Sequence, residues 1–423
     1  MLKDLSTRHK EKLGVKLCNI LRLDQERAFL PEQMNNEAWE GVVRIAQQQG
    51  MTSLLYLRIK EFSIENRPSA KILRDLHDTY LKDSILGIMR LHKLGLLLRA
   101  LRKDGIAVIA LKGTHLAECV YSDFTLRPMA DVDIMVKKSD LSRAINVLEM
   151  EGYQPKKKFW VDYEVRVSHE MPPFTQENGL TVELHWTLIT PSIPFNIDLN
   201  GLWERAEPVN ISKVNILGLS PEDLLLHLCM HASTQHRLIG GLRNSYDIAL
   251  TINTFEITID WNTVVLRASE WKAQRVAWLM FSLARDLFGA KIPNEILLEL
   301  QASGHDASVE KIALSLLFPD HLSETYFSPW LGSLLGAENY EEKFRLILHR
   351  IFISPVEIAR LYPVLPNSPK VFLYYPVRLG GMLKKHFRSA IGMLRGEPEI
   401  LASATFAKDQ QTLEELLIER LTN

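Results

Sequence analysis

The chain has 423 residues and a mass of 48.5 kDa, with 46% hydrophobic and 24% charged residues. These values are typical of a globular protein with two or three domains. Its 50 Lys and Arg residues balance 51 Asp and Glu residues. This balance argues against a general nucleic-acid binder, because such proteins carry a basic excess.

The expected location is the cytoplasm. The three cysteines, Cys18, Cys119 and Cys229, are scattered and odd in number, so they predict neither a disulfide framework nor a CxxC metal site. The opening stretch, MLKDLSTRHKEKLG, is too charged for a signal peptide. No apolar stretch is long enough to span a bilayer.

The first part of the chain, residues 1–104, is predicted to be helical. Between Ile72 and Gly105 the apolar residues recur at helical intervals, and Gly105 closes the pattern. The periodicity then changes, and residues 105–190 are predicted to form a small α/β core. Within this core IAVIAL (106–111) and DVDIMV (131–136) read as strands, and THLAECVY (114–121) reads as a helix.

The second half of the core is predicted to contain another helix and a hairpin. A helix follows the second strand, with its cap expected near Ser139. HEMPPFT and LTVELHW flank the pair Asn178–Gly179, which is a strong hairpin signal between alternating segments.

Connecting strands and a loop are expected at 191–219, and a helical domain at 220–423. The helical domain begins with Ser220 as N-cap, Pro221 in the first turn and Asp223 closing a capping box. The predicted fold class is therefore α+β: a small mixed β-sheet core flanked by N-terminal and C-terminal helical regions.

Three features of the core point to chemistry. Asp131 and Asp133 share one strand face, since side chains alternate along a strand, and Glu183 sits on a later strand between Val182 and Leu184. Such carboxylates repel one another unless a cation or hydrogen-bond donors compensate, and an oxygen-rich pocket of this kind suits Mg²⁺. The third feature is the strand-to-helix turn LKGT (111–114), where a glycine and a helix N-terminus favour the binding of an anion such as a phosphate group.

These motifs resemble those of a known family. The combination of G-[ST], then D-h-D-h on one strand and h-E-h on a later strand (h, hydrophobic) resembles the DNA polymerase β-like nucleotidyltransferase superfamily. LKGTHLAECVYSDFTLRPMADVDIMV, followed by LTVELHW and LSPEDLLLHLCMHA, is similar to its bacterial branch of uncharacterised nucleotidyltransferases. The resemblance covers about residues 85–250 and implies Mg²⁺-dependent transfer of NMP from an NTP to a hydroxyl or phosphate acceptor, with release of pyrophosphate.

The resemblance also implies residue roles. Gly113 and Thr114 would hold the triphosphate, and Asp131 and Asp133 would bind two Mg²⁺ ions. Glu183 would bind the ion on the acceptor side or act as base towards the acceptor hydroxyl. ATP is the expected donor, and a small molecule, sugar, peptide or protein is expected as acceptor rather than a polynucleotide.

Several polar residues have both a functional and a structural interpretation. Lys112 and Arg127 are candidates for triphosphate binding, and for Arg127 the alternative is a structural ion pair with Asp123 or Asp131. Asp247 needs a partner in an apolar helix, and Arg243 is the expected one. His227 and His231 are spaced for one metal, but a helix face packed on the core explains them better, with His231 a candidate for the cleft.

Residues 358–396 contain no acid and seven cations, Arg360, Lys370, Arg378, Lys384, Lys385, Arg388 and Arg395. The part at 376–394 reads as a basic amphipathic helix, which can rest on an anionic membrane or pack on its own domain; the second interpretation is favoured. A further alternative concerns the whole protein: a non-catalytic nucleotide-binding module that acts through helical contacts with a partner. The presence of all three carboxylates argues against that alternative.

Overall fold

The structure is a computed structural model. It describes residues 9–24, 34–176, 179–235, 238–239, 241–301, 307–318, 339–382, 384, 395 and 397–418.

Helices dominate the described part of the chain. They are α1 (His9–Leu21), α2 (Asn36–Gln48), α3 (Thr52–Lys60), α4 (Ala70–Lys103), α5 (Lys112–Cys119), α6 (Leu141–Met150), α7 (Val161–Val167), α8 (Leu199–Arg205), α9 (Pro221–Met230), α10 (Gly241–Thr254), α11 (Trp261–Glu270), α12 (Gln274–Phe288), α13 (Asn294–Gln301), α14 (Ala307–Leu317), α15 (Tyr340–Ile351), α16 (Pro355–Leu361) and α17 (Pro398–Leu417). A π-helical turn, His231–Gln235, follows α9 directly.

The described strands form one seven-stranded sheet in the order β3-β4-β5-β2-β1-β7-β6. They are β1 (Ile109–Ala110), β2 (Val132–Met135), β3 (Gln154–Pro155), β4 (Phe174–Thr175), β5 (Thr181–His185), β6 (Glu207–Ile211) and β7 (Val214–Gly218). β2 pairs parallel with β5 and antiparallel with β1, and β1 pairs parallel with β7. The sheet is therefore mixed, and the hairpin β6–β7 belongs to it.

The two faces of the sheet lie on different apolar cores. Val132 and Ile134 of β2 point into a core shared with Leu98 of α4 and Leu148 of α6. Met135 points the other way, into the core formed by the helical regions. Because side chains alternate along a strand, Asp133 shares the face of Met135. The acidic residues are thus directed at the helical regions.

The predicted fold class is confirmed: a mixed sheet lies between helical regions. The hairpin expected around Asn178–Gly179 is present as the antiparallel pair β4–β5, although Asn178 itself lies outside the described residues. The first core helix begins at Lys112, two residues before the predicted start. The cap predicted near Ser139 was wrong, since a 3₁₀ turn (Lys138–Asp140) leads into α6 without a side-chain cap.

Asp223 does not complete a capping box with Ser220. The Ser220 hydroxyl caps α9 by accepting from the Asp223 backbone N–H at 3.3 Å. The Asp223 carboxylate instead accepts from Arg205 of α8 at 3.0 Å and from Arg267 of α11 at 2.7 Å. A fully buried carboxylate needs cationic partners, and this one links three helices.

The basic segment is described only in part. Residues 383, 385–394 and 396 lie outside the described residues, so the amphipathic helix at 376–394 stays a prediction. At least two of the seven cations have structural partners. Arg360 binds the buried carboxylate of Glu164 at 2.6 Å, and Arg378 donates to the Arg350 carbonyl at 3.0 Å. In the part of the chain that the structure describes, every helix is too short or too polar to cross a membrane.

We expect Asp223→Ala to lower the free energy of unfolding by about 3–5 kcal/mol, because it leaves two arginines without their shared carboxylate. Chemical denaturation followed by circular dichroism measures this change. The matched control is Glu256→Ala, which removes an exposed carboxylate 2.8 Å from Lys291 and should cost less than about 1 kcal/mol. Equal effects of the two substitutions would contradict the structural role of Asp223.

Candidate active site

The pairing of β2 with β5 builds the centre of the site. In this parallel pair Asp133 lies directly opposite Glu183, and Met135 lies opposite His185. Side chains at opposite positions point to the same face, so Asp133, Glu183 and His185 lie together. Asp131, one residue before β2, lines the same cleft as Asp133 and Glu183.

The cleft has a volume of about 720 Å³ and is open to solvent. Asp131, Asp133 and Glu183, here called the carboxylate cluster, line one part of the cleft. Its walls come from α4, the start of α5, α10 and the loop before β2. The walls carry the cationic side chains that line the cleft: Lys82, Arg90, Lys112, Arg127 and Arg243. The volume lies within the range of ligand sites, and the mixture of acids and cations is suited to a charged ligand.

Lys112 reaches into the carboxylate cluster from the start of α5. Its Nζ donates to Asp133 Oδ1 at 2.8 Å and lies 4.0 Å from Glu183 Oε2. The Lys112 backbone has φ of 41°, a left-handed conformation that costs about 1–2 kcal/mol for a residue other than glycine. The surrounding structure holds the strained backbone in this conformation, which brings the ammonium group between the two carboxylates.

His185 extends the cluster towards β4. Its Nε2 lies 3.1 Å from Asp133 Oδ1 and 3.4 Å from Glu170 Oε2. Since a carboxylate only accepts, Nε2 carries the proton in this contact. His169 lies next to Glu170 and is held by the Gln235 side chain at 2.8 Å. The residues at this end of the cleft therefore form a connected polar network.

The charges of the cluster depend on one another. Burial opposes the ionised form of Asp133, but Lys112 and His185 outweigh it and hold the pKa of this carboxyl well below its usual range. Burial and the negative charges of Asp133 and Glu170 raise the pKa of Glu183 to about 9. Burial and Asp133 also raise the pKa of Asp131. Burial alone would lower the pKa of Lys112, but Asp133 and the neighbouring glutamates raise it, so Lys112 is a cation.

Gly113 and Thr114 have different positions. Gly113 lines the cleft, and a Cβ at this residue would lie 3.1 Å from Arg127 Nη1 and 3.3 Å from Met129 Cγ. Thr114 is buried outside the cleft lining, and its hydroxyl accepts from the Asp133 backbone N–H at 3.0 Å. Thr114 thus positions β2, and its contact with a triphosphate stays a prediction.

The partners expected for Arg127 and Asp247 were wrong. Arg127 binds neither Asp123 nor Asp131: its Nε lies 3.0 Å from Asp247 Oδ1, and its Nη2 lies 3.0 Å from Asp247 Oδ2. The Tyr121 hydroxyl donates to Asp247 at 2.6 Å. Burial opposes the charge of Arg127, and Asp247 outweighs it, so the pKa of the guanidinium is raised. Two of its nitrogens are engaged with Asp247, and Nη1 lies beside Gly113.

His227 of α9 and His231 of the π-helical turn after it have different environments. His227 is fully buried, and among the described residues neither ring nitrogen has a hydrogen-bond partner. Burial lowers its pKa well below the ordinary value. His231 lines the cleft, as the sequence suggested. Among the described residues, neither belongs to a cluster that could hold a metal ion. Packing against the core therefore accounts for His227.

The cluster fits a divalent cation. One ligand atom from each of Asp133, Glu183 and His185 lies within 4.8 Å of the others, and the same holds for His169, Glu170 and His185. Carboxylate oxygens are ligands of Mg²⁺ and Mn²⁺, whereas an imidazole is a preferred ligand of zinc, iron and nickel.

Sequence reasoning missed Glu170, His169 and Gln235. The pairing of β4 with β5, continued without interruption, would put Met171 opposite His185, whereas the observed bridge joins Glu170 to His185. A shift of one residue moves a side chain to the other face. The polar residues His169 and Glu170, next to the hairpin, were the sequence signal for a functional role. The one-residue shift in strand register that directs Glu170 to the site could not be predicted from the sequence.

Comparison with known proteins gives one match. A family model described as "Uncharacterised nucleotidyltransferase" matches residues 35–289, which is more than half of the chain. The matched region includes α4, the whole sheet, α9 and α10, and therefore every element that lines the cleft. No curated protein and no solved structure matches the chain significantly.

The raised pKa of Glu183 predicts a pH dependence of stability in the metal-free protein. Its pKa of about 9 lies above the ordinary 4.5, so between these values the folded chain keeps a proton that the unfolded chain has released. Rising pH therefore favours unfolding. Glutamine has no carboxyl group to titrate, so Glu183→Gln lacks this loss of stability. Its melting temperature in EDTA, relative to that of wild type, should therefore increase from about pH 5 to about pH 9.

Differential scanning fluorimetry across this pH range measures the effect. Glu207→Gln removes an exposed glutamate of β6 and is the control, whose melting temperature should run parallel to that of wild type. If the melting temperature of Glu183→Gln also ran parallel to that of wild type, Glu183 would not retain its proton over this pH range.

Proposed function

The chain belongs to the uncharacterised nucleotidyltransferase family, and from this membership we propose that its cleft transfers NMP from an NTP to a hydroxyl or phosphate acceptor and releases pyrophosphate. The observation that carries the proposal is the pairing of Asp133 with Glu183 on parallel strands, with Asp131 in the same cleft. Carboxylates grouped at one end of a cleft and cations along its walls suit a metal-bound triphosphate.

The proposed roles follow from position. Asp131 and Asp133 hold Mg²⁺ and with it the triphosphate, and Glu183 faces the acceptor. When bound, Mg²⁺ supplies positive charge at the triphosphate and lowers the pKa of the attacking hydroxyl. The raised pKa keeps Glu183 protonated in the metal-free cleft. With Mg²⁺ bound beside it, the added positive charge would favour the ionised form, and the Glu183 carboxylate would then accept the acceptor proton. The expectation of a second Mg²⁺ at Glu183 stays a prediction.

The triphosphate is proposed to lie against the start of α5 and the loop before β2. In the first turn of α5 the backbone N–H groups of Lys112 and Gly113 have no acceptor within the helix. Arg127 adds Nη1 next to Gly113, and Asp247 fixes the direction of its guanidinium. Backbone donors, a helix N-terminus and a rigid arginine are the usual features of phosphate sites.

The finer assignments rest on the resemblance, for the donor, and on composition, for the acceptor and the location. ATP is the proposed donor, and the balanced net charge supports a small molecule, sugar, peptide or protein as acceptor over a nucleic acid. The scattered cysteines support a cytoplasmic location.

A non-catalytic nucleotide-binding module is the second candidate. The observation in its favour is the ion pair between Lys112 and Asp133, which places a protein cation among the carboxylates. The two candidates differ in a single measurement. Incubation with Mg²⁺ and ATP labelled at the α-phosphate, in the presence of a metabolite extract, should move label to an acceptor and release pyrophosphate. In a parallel incubation with ATP labelled at the γ-phosphate, label on an acceptor would indicate a kinase. Binding of ATP without transfer of either label would support the module.

Glu183 and Asp133 should have different roles, Glu183 in turnover alone and Asp133 in both nucleotide binding and turnover. Glu183→Gln should bind a non-hydrolysable ATP analogue with nearly normal affinity but turn over about 100-fold more slowly, as expected for a lost general base. Asp133→Asn should lose both binding and turnover, because Asp133 is needed for the metal-bound nucleotide. Calorimetry measures the affinity, and pyrophosphate release measures the turnover. Normal turnover of Glu183→Gln would remove Glu183 from the mechanism.

Gly113→Val tests the triphosphate position. The added side chain would press on Arg127 and Met129 and displace the first turn of α5. Loss of one or two hydrogen bonds to a charged group should weaken binding of the ATP analogue by about 10-fold to about 100-fold. The control is Gly380→Val, because a Cβ at this exposed glycine meets no atom of the described residues within 4 Å. Unchanged affinity of Gly113→Val would assign the turn a purely structural role.

A further inference from the structure

We propose that the Lys112 ammonium takes the place of the acceptor-side metal ion, so that the nucleotide-bound site holds one divalent cation rather than two. The inference rests on the proposed function, and it assigns Lys112 a position different from triphosphate binding. Three observations carry it: the contacts of Lys112 Nζ, the use of the two Asp133 oxygens, and the conformation of the Lys112 backbone.

The position of Nζ is the first observation. A two-metal site places its ions about 3.5–4 Å apart and joins them through a shared carboxylate. The acceptor-side ion would lie between the shared aspartate and the third carboxylate. Lys112 Nζ is in this place, 2.8 Å from Asp133 Oδ1 and 4.0 Å from Glu183 Oε2.

The oxygens of Asp133 are the second observation. Its Oδ1 accepts from both Lys112 Nζ and His185 Nε2, at 2.8 Å and 3.1 Å. No described residue donates a hydrogen bond to Oδ2. A carboxylate that is shared by two ions usually gives one oxygen to each. Here one oxygen is engaged with a protein cation and an imidazole, so only Oδ2 is left for a metal.

The backbone of Lys112 is the third observation. Its φ of 41° is a strained conformation, and its side chain is 9% exposed. A lysine that bound only an incoming triphosphate could do so from the flexible, exposed conformation that lysines usually have. The fixed, buried position of Lys112 instead suits a permanent charge within the cluster.

Glu183 acquires a defined partner in this arrangement. Its carboxylate lies beside a cation that belongs to the protein, and the single divalent ion lies on the side of Asp131 and Asp133 Oδ2. Lys112 then stabilises negative charge that develops on the acceptor oxygen, while Glu183 takes the acceptor proton.

The number of bound Mn²⁺ ions tests the proposal without reference to activity. Mn²⁺ is titrated into the full-length protein saturated with α,β-methylene-ATP, and the electron paramagnetic resonance signal of free Mn²⁺ gives the number bound per chain. Wild type should bind one ion and Lys112→Ala two, a twofold increase. Lys112→Arg keeps the cation and should still bind one.

Lys213→Ala is the matched control. Lys213 is also a lysine with positive φ, 62°, but it is exposed in the turn between β6 and β7. This variant should bind one ion, as wild type does, and circular dichroism shows whether each variant is folded.

Two ions bound to wild type, with an unchanged number bound to folded Lys112→Ala, would overturn the proposal. A gain of one ion in Lys112→Ala would support it, with the additional wild-type ion at His169, Glu170 and His185. The proposal would also be overturned if wild type and folded Lys112→Ala each bound one ion, because Lys112 would then not limit the number of bound ions. Failure of the proposed function is read separately: label transfer from ATP is then absent, whatever number of Mn²⁺ ions the nucleotide complex binds.

Discussion

The site depends on the electrostatic cost of placing Asp133 and Glu183 side by side. Parallel pairing of β2 with β5 fixes these two carboxyls on one sheet face, and burial raises the cost of charging both. The structure meets this cost in two ways. Lys112 and His185 stabilise the charge of Asp133, and Glu183 retains its proton in the absence of another cation. The position of α5, which carries Lys112, meets part of this cost, whereas the offset that brings in Glu170 adds a further carboxyl beside His185 and Glu183.

Much of the cluster could be predicted from local sequence. Alternation along DVDIMV and TVELHW was enough to put the side chains of Asp133 and Glu183 on the face opposite their apolar neighbours, where the structure pairs them. Asp131 lies one residue before β2 and lines the same cleft. The Asn178–Gly179 signal identified the hairpin that leads into β5. These predictions succeeded because strand periodicity and turn chemistry act over a few residues.

The remaining parts of the site arise from contacts between distant segments. Arg127 finds Asp247 at a separation of 120 residues, and no local pattern distinguishes this partner from the nearby Asp123 or Asp131. The offset that directs Glu170 to the site is a detail of strand register, which binary patterning does not encode. The left-handed backbone of Lys112 was also hidden, because the neighbouring Gly113 is the residue for which sequence reasoning expects unusual geometry.

The bond between Arg127 and Asp247 has a consequence for anyone who wishes to shorten the chain. The sheet looks like a separable module, but its loop before β2 carries a buried guanidinium whose counter-ion comes from α10. A fragment that stops after β7 would keep all three carboxylates and lose this counter-ion, and Tyr121 would lose its hydrogen-bond acceptor as well. The smallest working piece of this protein is therefore defined by a side-chain contact, and it extends at least through α10.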